Sequence, residues 1–247
     1  IILINLNIIS NNMDKLKMDE IKGIVFDLDG VIFNISDAIK KAVEDAVEKY
    51  QIKVNIEDVL QEIALLIEKL QNYPVPQIIL NSYDLLQVEF LQGMTFFKKL
   101  RVGIYLFNQF NKYKEDAEMY PGIDKLISNL AQTKKLAILT NNKNTHAEEV
   151  LKKFELDNYF PLIIGFNEVA EVKPSPEGIN KILKEWNFQP NEVVFIGDMT
   201  TDVMAGKAGN VKMVAVYSGL ARKESLKENQ PDYFANDTQE LLKIFGL

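Results

Sequence analysis

Short runs of continuously apolar residues recur along the chain, at Ile24–Phe26, Leu136–Leu139, Leu162–Ile164, Val193–Ile196 and Met213–Val216. Runs this short, apolar at every position rather than at alternate ones, predict strands buried on both faces of a parallel sheet. Around the last four lie stretches with apolar residues three and four apart, such as Ile123–Leu130, Ala147–Phe154 and Gly178–Trp186, which predict helices. Strands and helices alternating in this way are βαβ units with right-handed crossovers. The fold class is therefore α/β with a parallel sheet.

Residues 36 to about 116 break that alternation, because they carry helical spacing and no strand pattern. Ala38, Ile39, Ala42, Val43, Ala46, Val47 and Tyr50 repeat at helical spacing after a cap at Ser36. Val59, Leu60, Ile63, Leu66, Ile67 and Leu70 do the same after a cap at Asn55, until 72–76 breaks the pattern. Two more helical patterns run from Tyr83 to Leu91, ending near Gly93, and from Thr95 to about Lys112. Alternation starts at Tyr120-Pro121-Gly122, and the strand at Ile24–Phe26 belongs with it. The helical block is thus an insertion between the first strand and the rest of its own sheet. The expected organisation is an N-terminal extension over 1–20, a core from 21–35 and 117–247, and an all-helical cap over 36–116. Ile1–Ser10 is apolar but has no basic region before it and no small-residue cleavage site after it, so it reads as neither signal peptide nor membrane span. With Met13 and Met18 just ahead of the first strand, residues 1–12 are expected to lie outside the fold.

At 247 residues the chain suffices for a core carrying one large insertion. Its 28 basic and 35 acidic residues give a net charge of −7, so neither a nucleic-acid nor a membrane partner is expected. An anionic substrate then needs local positive charge or a bound metal. There is no cysteine, which excludes disulfides, thiolate metal sites and a cysteine nucleophile, and suits a cytoplasmic protein.

The candidate chemistry lies just beyond the strands, at the carboxyl edge where open α/β sheets bind ligands. Gly23–Gly30 is an apolar run ending in two carboxylates one residue apart, Asp27 and Asp29, followed by glycine. Acids at i and i+2 share a side if the backbone stays extended, and a divalent metal is suited to relieve their repulsion. Alone, the segment is equally a strand-end turn with solvated acids. After Leu139 come Thr140, Asn141 and Asn142, a hydroxyl and two amides. Beyond the next strand comes Lys173-Pro174-Ser175-Pro176-Glu177, where Ser175 can cap a helix and Pro176 fits its first position, leaving Lys173 as a cation at the sheet edge. After Ile196 come Asp198 and Asp202, acids on one face if a helix begins there. Each has a plain structural reading as well: Thr140 as a strand end, Lys173 as a solvated side chain, the acid pair as helix N-terminal charge. What singles them out is that all occur together, in order, at successive strand ends.

On Asp27-Leu28-Asp29-Gly30, Thr140, Lys173-Pro174, Gly197-Asp198 with Asp202, and the re-entry at Tyr120-Pro121-Gly122, the chain resembles the haloacid dehalogenase superfamily, in the branch with a helical cap after the first motif. The resemblance spans about residues 21–247. It implies a Rossmann-like core and a Mg²⁺-dependent phosphatase acting on a small phosphorylated metabolite, as a monomer or homodimer. Asp27 is implied as the nucleophile that forms an aspartyl-phosphate, and Asp29 as the general acid and then base. Mg²⁺ is implied on the Asp27 carboxylate, the Asp29 carbonyl and Asp198, with Asp202 supporting the metal or Lys173. Thr140, Asn141 and Lys173 are the implied substrate-binding residues. Phosphoglycolate phosphatase is the nearest functional resemblance, from Gly197–Gly209 and Asp232-Tyr233. Two positions depart from many relatives, with Asn34 where an acid is common and Val31 where threonine is, which bears on cap hinging or substrate choice.

Other reactions stay in view. The dehalogenases lack an acid at the position of Asp29 and need no metal set, whereas a sugar phosphomutase keeps every motif. Phosphonate cleavage needs a cap lysine, for which Lys40, Lys41, Lys98 and Lys99 are candidates. A non-catalytic Mg²⁺-binding regulatory protein is a further class, against which the intact Asp29 argues. Among lesser features, His146 is expected at the surface, and Phe96, Phe97, Tyr105, Phe107 and Phe110 in the cap core. Lys98, Lys99 and Arg101 are candidates to face the substrate's anionic end.

Overall fold

β1 (Gly23–Phe26) is buried at all four positions because it occupies the middle of a parallel sheet. It pairs with β2 (Lys135–Leu139) on one side and β4 (Val193–Gly197) on the other, setting Phe26 opposite both Ile138 and Ile196. β3 (Leu162–Ile164) extends the sheet beyond β2, and β5 (Lys212–Val216) and β6 (Tyr233–Ala235) extend it beyond β4. The order is β3-β2-β1-β4-β5-β6, so winding reverses at β1 and the carboxyl ends of β1, β2 and β4 lie side by side. This computed structural model describes residues 16–70, 88–218 and 220–247. β6 is an addition to the predicted strands.

Between β1 and β2 the chain leaves the sheet. α1 (Ser36–Tyr50), α2 (Ile56–Leu70) and α3 (Phe96–Glu115) share an apolar cluster built on Val43, Val59, Phe90, Leu91 and Val102. Asn55 Oδ1 accepts the Glu57 amide at 2.8 Å, as its capping role predicts. At α1 the acceptor is Asn34, not Ser36. Asn34 Oδ1 takes the Ser36 hydroxyl at 2.6 Å and the Asp37 amide at 3.4 Å, because Ser36 is already helical and donates. The aromatic residues expected in this core are also displaced, with Phe96 and Phe97 57% and 74% exposed and Phe107 exposed. Neighbouring helix positions point about 100° apart, and the inward face of α3 is filled by Val102. Glu89–Leu91 is a single 3₁₀ turn, while the expected break at 72–76 and the start of the helix from Tyr83 lie outside the described residues. The two crossings into and out of the insertion run together: the Asn34 amide donates to Glu118 O at 2.9 Å and the Tyr120 amide to Ile32 O at 3.0 Å.

Alternation along each strand divides the core into two layers. Ile24, Phe26, Ile138 and Ile196 pack against α4 (Ile123–Ala131), α5 (Asn144–Lys153) and α9 (Thr238–Ile244). Val25, Leu139, Phe195 and Met213 pack against α6 (Glu177–Trp186), α7 (Thr200–Ala208) and α8 (Lys223–Glu228). Residues 16–20 join this core rather than extending from it. Leu16 is buried, its amide donates to Ile244 O at 3.3 Å, and Lys134 Nζ donates to Met18 O and Ile21 O at 2.8 and 2.6 Å. Residues 1–15 lie outside the described residues. Among the described residues no helix is long and apolar enough to cross a membrane.

Candidate active site

Asp27 follows β1 directly, and its amide still donates to Ile196 O at 2.8 Å, so the strand delivers its side chain to the sheet edge. Lys173 comes to the same point from the segment between β3 and α6. Its Nζ lies 2.6 Å from Asp27 Oδ1, 2.6 Å from Asp202 Oδ1 and 3.2 Å from Leu139 O. Two hydrogen bonds, to Asp27 Oδ1 and Leu139 O, and the ion pair with Asp202 surround the ammonium, which is how a buried lysine is tolerated. Burial alone would drive Lys173 towards neutrality, but Asp202 and Asp27 hold it well above the ordinary lysine value. Behind it, Ser175 Oγ accepts the Glu177 amide at 3.3 Å; α6 starts at Glu177, so Pro176 is its cap residue rather than its first.

Asp198 and Asp202 do not form the helix-face pair that their spacing suggests, because α7 starts only at Thr200. Asp202 Oδ2 reaches back to accept the amides of Asp198 and Met199 at 3.1 and 2.9 Å, while its Oδ1 meets Lys173. Asp198 Oδ2 accepts the Ser218 hydroxyl at 2.5 Å. Asp198 Oδ1 is buried with no hydrogen-bond partner. Gly30 permits this crowding: its φ is +82°, and a Cβ there would stand 2.0 Å from Asp198 Oδ2.

Carboxylate oxygens of Asp27, Asp198 and Asp202 lie within 4.8 Å of one another, and all three residues are buried. Burial raises Asp27 to about 7, with Asp202 and Asp29 adding to the effect and Lys173 opposing it. Burial, with the charges of Asp27 and Asp202, pushes Asp198 well above its ordinary value. Acids in this condition suit a cation. The donors are hard oxygens of the kind Mg²⁺ takes, and the orphaned Asp198 Oδ1 is an atom for it to engage. The residues therefore fit a divalent cation through Asp27 and Asp198. Asp202 belongs to the same group; its Oδ2 takes two backbone amides and its Oδ1 is ion-paired with Lys173, contacts that support Lys173 and the turn into α7.

Asp29 stands beside this group. Its Oδ2 accepts Lys114 Nζ and Asn142 Nδ2, each at 2.6 Å. Burial would raise its carboxyl, but the Lys114 charge and these hydrogen bonds outweigh burial and lower it. Thr140 is buried at the end of β2, where its amide donates to Ile164 O at 3.0 Å and its Oγ1 accepts the Asn142 amide at 3.2 Å. Asn141 is half-buried at the same edge. The structure thus gathers Asp27, Lys173, Asp198 and Asp202 into one buried cluster, with Asp29, Asn142 and Thr140 alongside. Two partners escaped the sequence reading, Ser218 and Lys114; nothing local separates Lys114 from its neighbour Lys112. His146 is half-buried rather than on the surface, and burial together with the nearby Lys114 charge lowers its pKa. Lys98 and Arg101 are exposed.

The sequence matches the family described as haloacid dehalogenase-like hydrolase over residues 24–216. Pyrophosphatase PpaX of Halalkalibacterium halodurans is 27% identical over 230 residues, 92% of this chain and 98% of the relative. Phosphoglycolate phosphatase of Escherichia coli O157:H7 is 25% identical over 249 residues, 94% of this chain and 95% of the relative. Among solved structures, one from Haemophilus somnus 129pt named a predicted phosphoglycolate phosphatase has a TM-score of 0.68 at 21% identity, over 91% of this chain and 98% of that one. At that identity the likeness concerns the fold.

Proposed function

We propose that this chain, a phosphatase belonging to the haloacid dehalogenase-like hydrolase family, acts on a small phosphorylated metabolite through an aspartyl-phosphate on Asp27 with Mg²⁺ as cofactor. The observation that carries the reading is the buried cluster of Asp27, Asp198 and Asp202 around Lys173, with Asp198 Oδ1 in neither a hydrogen bond nor an ion pair. Clustered buried acids cost stability, so a role in chemistry explains their presence better than a role in folding.

In the first step the Asp27 carboxylate bonds to phosphorus, the ester P–O bond breaks, and the departing oxygen takes a proton from Asp29, which enters the step protonated, its ion pair with Lys114 given up once substrate is bound. In the second, Asp29 takes a proton from water, the resulting oxygen bonds to phosphorus, and the Asp27–phosphorus link opens to release phosphate. Lys173 fixes the carboxylate of Asp27 through Oδ1 and offsets charge on the transferring group. The Thr140 hydroxyl and Asn141 bind phosphoryl oxygens. When bound, Mg²⁺ on Asp27 and Asp198 supplies charge neutralisation to the phosphoryl group.

Residues 36–116 act as a cap over a core of 21–35 and 117–247, moving about the paired crossings at 32–34 and 118–120 and excluding water when closed. The test is hydrolysis of p-nitrophenyl phosphate with Mg²⁺ and with EDTA, beside Asp27→Asn. Metal-dependent turnover that the variant lacks is expected. Turnover that survives in Asp27→Asn would rule out the covalent route.

A further inference from the structure

Lys114 stands in the last turn of α3, within the insertion, yet its Nζ lies 2.6 Å from Asp29 Oδ2. Both side chains are largely buried, at 18% and 19% exposure. The two lysines of the site therefore serve different ends of the reaction. Lys173 holds the nucleophile, and Lys114 sits on the residue that serves the leaving oxygen.

Charge decides what Lys114 can do. With Asp29 carrying the proton that it gives to the leaving oxygen, Asp27, Asp198 and Asp202 offset Lys173 and a divalent cation, and the charge of Lys114 is left without its anion. A second anionic group on a substrate needs a cation whose present contact can be exchanged. Lys173 is enclosed behind Asp27 by three oxygens. Lys114 is more exposed and pairs with Asp29, whose Oδ2 keeps Asn142 as a second donor if the lysine moves. A flexible four-carbon stem allows its ammonium to move a few ångströms while staying near atoms attached to the leaving oxygen. A largely buried ammonium that leaves one anion needs another.

We propose that Lys114 is a specificity-determining residue whose ammonium pairs with a second anionic group, a carboxylate or phosphoryl, attached next to the oxygen that departs from phosphorus. This rests on the phosphatase reading above and narrows its substrate class. The chemistry has two sources, a phosphorylated 2-hydroxy acid or a phosphoanhydride.

The experiment measures kcat/KM for wild type, Lys114→Met and Lys114→Arg on p-nitrophenyl phosphate, 2-phosphoglycolate and inorganic pyrophosphate. The readout is the ratio of each doubly anionic compound to p-nitrophenyl phosphate. Lys114→Met is expected to lower the ratio for the compound that wild type prefers about tenfold or more, mainly through KM, and Lys114→Arg to recover most of it. Which compound wild type prefers distinguishes the two sources. Calorimetric binding of the same compounds to Asp27→Asn, with and without Lys114→Met, reads the ratio without turnover. Equal losses on all three compounds, or no change, overturn the assignment. Wild-type protein inert on all three would instead remove the phosphatase reading itself, and this inference with it.

Discussion

Lys173 Nζ lies 2.6 Å from Asp202 Oδ1 and both side chains are buried, so the cation that holds Asp27 is itself held from behind by an acid. The other oxygen of Asp202 binds the amides of Asp198 and Met199. One carboxylate thus ties the lysine-bearing segment to the turn that carries Asp198. Position and charge in the site are consequently one problem, because moving either partner moves both.

Removing the lysine leaves Asp27 and Asp202 facing each other without compensation. Lys173→Met is expected to lower stability by about 3 kcal/mol or more and to abolish turnover. Lys173→Arg should recover stability only in part, since a planar fork does not match three oxygens arranged around a point charge. Urea unfolding of the three proteins, with and without Mg²⁺, measures this.

Asp27→Asn separates chemistry from stability. On the proposed covalent route it removes the attacking oxygen, so turnover should fall about a thousandfold or more. In EDTA its melting temperature should match or exceed that of wild type, because one of three crowded carboxylates is neutralised while Lys173 keeps Asp202. A large loss of stability would mean that the cluster holds the fold together.

The raised carboxyls make stability depend on pH. Asp27, held at about 7 against an ordinary 3.8, stays protonated in the folded protein where the unfolded chain has already lost its proton. The folded state binds more protons across that window, so stability falls as pH rises from about 4 to about 7. Asp198 acts in the same direction, while the lowered Asp29 contributes stability that is lost as pH falls through its folded pKa. Thermal melts in EDTA should therefore decline towards neutral pH. Mg²⁺ should flatten or reverse the decline, because a cation favours the ionised acids. Identical slopes in EDTA and Mg²⁺ would count against a cation site.

Gly30→Ala tests the turn that follows Asp27 and Asp29. A φ of +82° is strained for alanine by about 1–2 kcal/mol, and its Cβ would also collide with Asp198 Oδ2. Stability should fall by at least that amount, and Mg²⁺ affinity, read by the melting shift it produces, should weaken as Asp198 is displaced.

Much of this was readable in order along the chain. Strand ends could be recognised because a buried parallel strand is apolar throughout and stops abruptly, as at Phe26 before Asp27 and at Ile196 before Gly197 and Asp198. The insertion was visible as a change of period. Among the features that misled were Ser36 as a cap, Phe96 and Phe97 as core, and the acids at 198 and 202 as a helix-face pair. In each, the residue type suited the expected role, but a boundary two residues away or a neighbouring helix decided otherwise.

The sequence by itself determined the α/β alternation, the place of the helical insertion and the residues at each strand end, because hydrophobic period and turn chemistry are local properties. Only the tertiary structure decided that Asp202 serves Lys173, that Ser218 donates to Asp198, and that Lys114 crosses from the insertion to Asp29. Those partners are 29, 20 and 85 positions apart along the chain. What pairs them is the sheet order and the path of the insertion over its edge, and a charged side chain carries no local mark of which distant opposite charge will meet it.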